Sequence, residues 1–290
     1  MTTGEMEPAT ERRAVCRVVL TGGLGNQFFQ YAAAAAIASR SDSDIEIDDS
    51  FYQRRHQRHR TLEITQFPIS GRLRRDRRPT FLQAMKSSWG RFAGNDLKSY
   101  REPHLHFDEG TLSLQAPISI QGYFQSERYF QAIAPSIREQ FRVPRPMNPK
   151  VLAIGDQLHE AATLHIRRGD YVSSEKNRSI YAQCTLDYYR AAVERLPSDV
   201  PVYVLSDDMD WVRRNFKIPH RLNFPESETA LEDLWLMTQA RHHVIANSTF
   251  SWWGAWLAKA TDGIKIAPRK WFCDETINDI DLVPPHWLRL

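Results

Sequence analysis

An α/β fold built from two Rossmann-like units is predicted for this 290-residue chain on three observations. Residues 14–47 read strand, glycine turn, helix, strand. Residues 162–268 alternate apolar strands with helices. Between them "VPRPMNP" (143–149) carries three prolines and reads as a break. Strands that alternate with helices pair in parallel and are covered on both faces. The expected domains are 1–150 and 151–290, joined at that break.

In order, "AVCRVVL" (14–20) is a strand, "TGGLGNQ" (21–27) a tight loop and "FFQYAAAAAIASR" (28–40) a helix. The alanine run suits close packing of helix on sheet. "DIEI" (44–47) is the second strand. Residues 51–110, rich in Arg, Pro and His, show no clear period. "PISIQGYFQSERYF" (117–130) reads as a strand running into a helix start, with a helix over 131–141. In the second half, "ATLHIR" forms a strand ending at 167, followed by a helix near 185–196. The strand 202–206 runs into "DDMDWVRRNF". A helix over 231–242, a strand over 243–246, a helix over 247–260 and a strand over 263–268 complete the chain.

The composition, 42% hydrophobic and 25% charged, is enough to bury one large core or two ordinary ones. No apolar run approaches the ~18–20 residues that span a bilayer. The opening "MTTGEMEPATERR" lacks the order of a secretory signal, so a cytoplasmic chain is expected. Cys16, Cys184 and Cys273 are scattered, and none forms a C-x-x-C pair. Neither a disulfide framework nor a zinc site is suggested. Between residues 53 and 78, nine arginines stand against Glu63 and Asp76, a local charge of +7 on a chain whose total is +3. Such a segment suits an anionic partner. No aromatics interleave as in a single-strand platform, which argues against nucleic acid. Peripheral contact with an anionic membrane face through residues 53–78 is the expectation.

In open parallel sheets ligands bind beyond the carboxyl ends of the strands. Three strands of the second half end in polar clusters: His165–Asp170, Ser206–Asp208 and Asn247–Ser251. In a parallel sheet these tips share one edge. Asn247, Ser248 or Thr249 can cap the following helix and leave its first N–H groups facing a ligand. Arg167 and Arg168 beside that helix end suit a dianion, with pyrophosphate the natural candidate. Asp170 then holds the loop or an arginine. The glycine loop is no P-loop, and it fails the dinucleotide pattern because Phe28 stands where the third glycine belongs. Gly22, Gly23 and Gly25 still permit close backbone approach. Asp208-Met209-Asp210 is a D-x-D of the kind that holds a divalent cation, although acids also favour a helix start. Two phosphate-facing arginines reduce the need for a metal.

The strings "GGLGNQFFQYA" (22–32), "GYFQSERYF" (122–130), "HIRRGDYV" (165–172), "LSDDMDWVRRNF" (205–216) and "LWLMTQARHHVIANSTFSWWGAWL" (234–257) resemble the bacterial α-1,2-fucosyltransferases of glycosyltransferase family 11. They fall in register from about residue 16 to 275. Phe124 and Arg128 stand where the family has Trp and Lys, and Ala240 where Cys or Ser is common. The resemblance implies the GT-B fold, with the active site in the cleft between two Rossmann-like domains. It implies inverting transfer of fucose from GDP-β-L-fucose to the 2-hydroxyl of a terminal sugar, often galactose, in a glycan acceptor, with no metal or other cofactor required. It places Arg168 first and Arg167 next on the donor pyrophosphate, with His165 by the nucleotide and Asp233 on the guanine edge. Ser206, Asp207, Asn247, Ser248, Thr249 and Phe250 border the donor. Gly23 and Gly25 face the phosphates across the cleft, and Asn26 lies closest to the reacting centre. Tyr123 and Gln125 fall on the acceptor side. The general base is not identified; Glu127, His104, His106 and Asp108 are candidates. Two other readings remain open. One is a different sugar-nucleotide transferase, metal-dependent through Asp208 and Asp210. The other is a non-catalytic nucleotide- or glycan-binding module.

Overall fold

Alternation sets the first strand. In β1 (Val15–Val19) Cys16 and Val18 are buried while Val15, Arg17 and Val19 are half-buried. β2 (Asp44–Asp48) pairs with it in parallel, with Arg17 opposite Glu46. Their side chains bond at 2.6 Å, so the charges neutralise each other on the less buried face. The computed structural model describes residues 13–54, 60–74, 97–169 and 174–290.

β3 (Arg72–Leu73), β4 (Lys98–Arg101) and β5 (Ile118–Gln121) complete a parallel sheet in the order β3-β2-β1-β5-β4. The second sheet is also parallel. It contains β6 (Ala162–Ile166), β7 (Val202–Ser206), β8 (Leu222–Asn223), β9 (His242–Val244), β10 (Lys265–Ala267) and β11 (Leu288–Arg289), in the order β11-β10-β9-β6-β7-β8. β6 and β7 are buried along their whole length, as strands covered on both faces must be. The described helices are α1 (Leu24–Arg40), α2 (Ala134–Gln140), α3 (Pro149–Gly155), α4 (Glu175–Ile180), α5 (Leu186–Val193), α6 (Met209–Asn215), α7 (Ala230–Gln239) and α8 (Thr249–Trp256). Two parallel α/β sheets of this kind form the GT-B architecture.

Several boundaries differ from expectation. α1 starts at Leu24, so the supposed loop residues Gly25, Asn26 and Gln27 form its first turn. The proline break ends in a helix: Pro149 opens α3, where its missing N–H costs nothing, and Asn148 caps it. The short strands β3, β4, β8 and β11 carry too few residues to show a period in sequence.

One hydrophobic core joins the sheets. It holds Phe28 and Phe29 of α1, Phe130 and Phe141, and Trp252, Trp253 and Trp256 of α8. Trp253 is fully buried, with ring centroids 4.9–5.4 Å from Phe28, Phe29, Phe130 and Phe141. Its indole N–H donates to the Gly25 carbonyl at 3.0 Å. The final segment returns to the first sheet's side, where Asp281 pairs with Arg128 at 3.2 Å and accepts from the Phe107 amide at 3.1 Å. A smaller core, including Leu164, Ile166, Val204 and Val212, fills the other face of the second sheet.

Candidate active site

Parallel pairing brings the predicted clusters together. β6 lies between β9 and β7, so His165, Ser206 and the start of α8 share one edge. Side-chain alternation then separates the two arginines. His165 faces the shared core, with its ring 5.8 Å from Phe250. Arg167 lies in the same electrostatic group as His165 and Asp207, and its guanidinium pairs with Asp207 at 2.8 Å. Arg168 turns the other way. Its Nε meets Asp208 at 3.2 Å, and its guanidinium stacks 3.5 Å above the Trp211 ring. Asp207 also accepts from the Arg168 amide at 2.8 Å, fixing the loop between the two side chains.

Opposite them, two helix starts meet. α1 and α8 begin at Gly23 and Ser248, neither of which caps with its side chain, and neither helix has an acid in its first turn. By contrast, Ser174, Thr185, Asp208 and Thr229 cap α4 to α7. Uncapped helix starts concentrate N–H groups and positive dipole, which suits an anion. They touch directly: a β-carbon on Gly25 would fall 2.5 Å from the Thr249 carbonyl carbon and 2.7 Å from the Phe250 nitrogen. Gly25→Ala should therefore push α1 and α8 apart. The expected result is a loss of ~1–3 kcal/mol in urea unfolding, with activity falling at least about tenfold, as misplacement at a reacting centre does. Gly22 is also required, because its φ is +78°.

Asn26 joins three segments. Its Oδ1 accepts from Gln125 Nε2 at 3.0 Å and from Thr249 Oγ1 at 3.0 Å. Gln125 is held there by a strained turn, since buried Phe124 has φ +53°. Glu102 over-determines that turn by accepting the Phe124 amide at 3.0 and 3.1 Å, together with the Tyr123 amide at 2.6 Å. Tyr123 itself is exposed.

Burial shapes the titration of the site. It pushes the His165 imidazole down to about 4; Asp207 opposes this and Arg167 adds to it. His165 Nδ1 is buried with no hydrogen-bond partner among the described residues. Burial pushes the Asp233 carboxyl up to about 6, with Glu232 and Asp207 contributing, although a hydrogen bond from Ser227 pulls it down.

Other expected residues have structural partners. Asn247 donates to the Ala182 and Trp271 carbonyls at 2.6 and 3.0 Å, tying loops together behind the edge. Ser206 Oγ accepts from the Asp208 amide at 3.1 Å. The D-x-D acids do not converge: Asp208 caps α6 and pairs with Arg168, while Asp210 sits exposed in the first turn of α6. Among the described residues no His, Cys, Asp and Glu cluster suits a metal. Asp170 lies outside the described residues. Of the base candidates, Glu127 accepts from Trp256 Nε1 at 3.1 Å, and Asp108 caps a short turn while bonding Tyr100. His104 and His106 stack with centroids 3.4 Å apart beyond the end of β4.

Sequence reasoning missed Glu102, whose role depends on a turn it meets only in space. It also missed Arg60, whose guanidinium lies 3.5 Å from where a Gly23 β-carbon would be. Of the basic segment, residues 55–59 and 75–78 lie outside the described residues. Arg72 and Arg74 pair with Asp44 and Asp48 at 3.2 and 3.1 Å. No helix among the described residues is long and apolar enough to cross a membrane.

Two parallel α/β sheets, with a pair of arginines and open helix starts at the strand tips of the second, are the setting of a glycosyltransferase here, as the family match shows. The chain belongs to glycosyl transferase family 11, whose family model matches residues 6–290. It is 32% identical over 283 residues to the alpha-1,2-colitosyltransferase of Escherichia coli, covering 93% of this chain and 97% of that protein. It is 30% identical over 308 residues to the O-antigen biosynthesis glycosyltransferase WbnK of Escherichia coli, covering 93% and 99%. A shorter match, 27% identical over 183 residues, covers 55% of this chain and 49% of the human galactoside alpha-(1,2)-fucosyltransferase 1.

Proposed function

We propose that the chain transfers L-fucose from GDP-β-L-fucose, with inversion, to the 2-hydroxyl of a terminal galactose in a glycan acceptor. The observation that supports this best is the meeting of the open ends of α1 and α8 at Asn26, with His165 beside Phe250 and Arg167 paired with Asp207 at the same strand-tip edge. In this reading Arg167 leads on the departing diphosphate, and Arg168 braces the loop through Asp208 and Trp211. The N–H groups of Thr249 and Phe250 border the phosphates beside Ser248. Gly23 and Gly25 bring the α1 start to the same charge. As the bond to the sugar breaks, negative charge grows on the diphosphate, and fixed donors stabilise it more than the ground state. Gln125 and Thr249 orient Asn26 beside the sugar, and Tyr123 lines the acceptor side. Product from GDP-fucose and a galactoside panel, with linkage read by NMR, tests this; no transfer to any galactoside sinks it.

A second reading has support from the full-length similarity to a colitosyltransferase. Colitose is fucose without its 3-hydroxyl. A site that hydrogen-bonds that hydroxyl rejects the deoxy sugar by large factors, about 10⁴–10⁵ in favourable cases. Parallel kcat/KM values for GDP-fucose and GDP-colitose therefore separate the two donors.

Asp233 is proposed to accept from the guanine edge, which requires its carboxylate. With a folded value of about 6, kcat/KM for donor should fall as pH drops below about 6, and Asp233→Asn should remove that limb while raising donor KM. Stability runs the other way. The folded value lies above the ordinary 3.8, so the folded state binds the extra proton. The stabilisation is complete below pH 3.8 and is lost as pH rises through about 6. Asp233→Asn should therefore raise Tm at pH 8 more than at pH 4, read by thermal denaturation.

A further inference from the structure

A second basic cavity lies at the far end of the helices that form the site. Its volume is about 630 Å³, and its lining includes Arg138, Arg142, Arg145 and Lys259, with Trp235 and Leu257 as apolar wall. α7 precedes β9 and α8 follows it, so the C-terminal ends of both helices lie at the opposite sheet edge from Arg167 and Thr249. The eight residues of α8, at 1.5 Å rise, separate the two places by about 12 Å. This cavity is not the donor cleft.

Its charge is one-sided. Among the described residues, Asp156 is the only acid on the lining. Arg142 pairs with nearby Glu139 at 2.6 Å, and Arg138 stacks 4.1 Å over Trp256. Arg145 is exposed and has no ion pair among the described residues. Behind the wall, Lys265 is nearly buried, and its ammonium is pushed down by burial and then by Arg138. Cations at helix C-termini are favourable in themselves, but that effect does not gather three arginines and a lysine around one concavity. A monocarboxylate would leave most of this charge unbalanced, whereas a phosphate ester or diphosphate matches it, and guanidiniums bind phosphate oxygens in pairs.

We propose that this cavity binds a phosphate ester or diphosphate carried on an apolar or aromatic stem, with the phosphate among Arg142, Arg145 and Lys259 and the stem on Trp235 and Leu257. The ligand bridges the segment leaving the first sheet and the helices of the second. Calorimetry with saturating GDP in the donor cleft tests it, with inorganic pyrophosphate and farnesyl diphosphate as probes. One further equivalent of either probe should bind, at least tenfold more weakly in Arg145→Glu and in Lys259→Gln. Farnesyl diphosphate binding at least tenfold tighter than pyrophosphate supports the stem on Trp235 and Leu257, and equal affinities overturn it. No binding beyond the GDP-filled cleft, or binding that neither substitution changes, overturns the proposal.

Discussion

Arg167→Ala is expected to cut kcat at saturating GDP-fucose by about 10²–10³-fold, the usual effect of removing a preorganised donor to developing negative charge. The side chain is part-buried and aligned by Asp207 at 2.8 Å, so it needs no reorganisation as the sugar bond breaks. Arg167→Lys keeps the charge but loses the paired N–H fork, and should recover little of the rate. Arg168→Ala should cost less, because that guanidinium already stacks on Trp211 and pairs with Asp208. Steady-state kinetics on all three variants, with circular dichroism to confirm folding, decide the order. An Arg167→Ala enzyme of near-normal rate would falsify the assignment.

Trp253→Ala should lower the unfolding free energy by roughly 3–5 kcal/mol. The indole is fully buried among four aromatic rings, and its N–H satisfies the Gly25 carbonyl. Truncation leaves a void and removes the indole's hydrogen bond to the Gly25 carbonyl in the first turn of α1. Exposed Tyr123→Ala should shift stability by no more than about 0.5 kcal/mol. Urea titrations of the two proteins provide the comparison. A Trp253→Ala loss as small as that of Tyr123→Ala would mean that the shared core does not hold the sheets together.

The parallel sheets were legible because β1, β6 and β7 are strong apolar runs and α1 and α7 show clear helical patterns. The shared strand-tip edge followed from topology, since any three neighbouring parallel strands end on one side. What escaped was information held in space. Sequence reading ranks Arg168 above Arg167; it could not show that Arg168 stacks on Trp211 and pairs with Asp208, contacts made only in space. Asn247 reads as a site residue, yet its amide ties the Ala182 and Trp271 carbonyls. Gly25 reads as loop, yet it lies in the first turn of α1, at a point where α8 leaves no room for a side chain. Trp252 and Trp253 read as ordinary core, and core they are, but of a core that belongs to both sheets.

The bond from Trp253 to Gly25 spans 228 positions in the chain. During synthesis at ~5–20 residues per second, Phe28 and Phe29 therefore wait roughly 10–45 s for the rings that cover them. Through that interval Phe28 can pack on Phe67 and Phe141, and Phe29 on Phe130, while the side that meets α8 stays uncovered. An isolated 1–150 fragment would keep that side exposed, because the rings of α8 that cover it are absent.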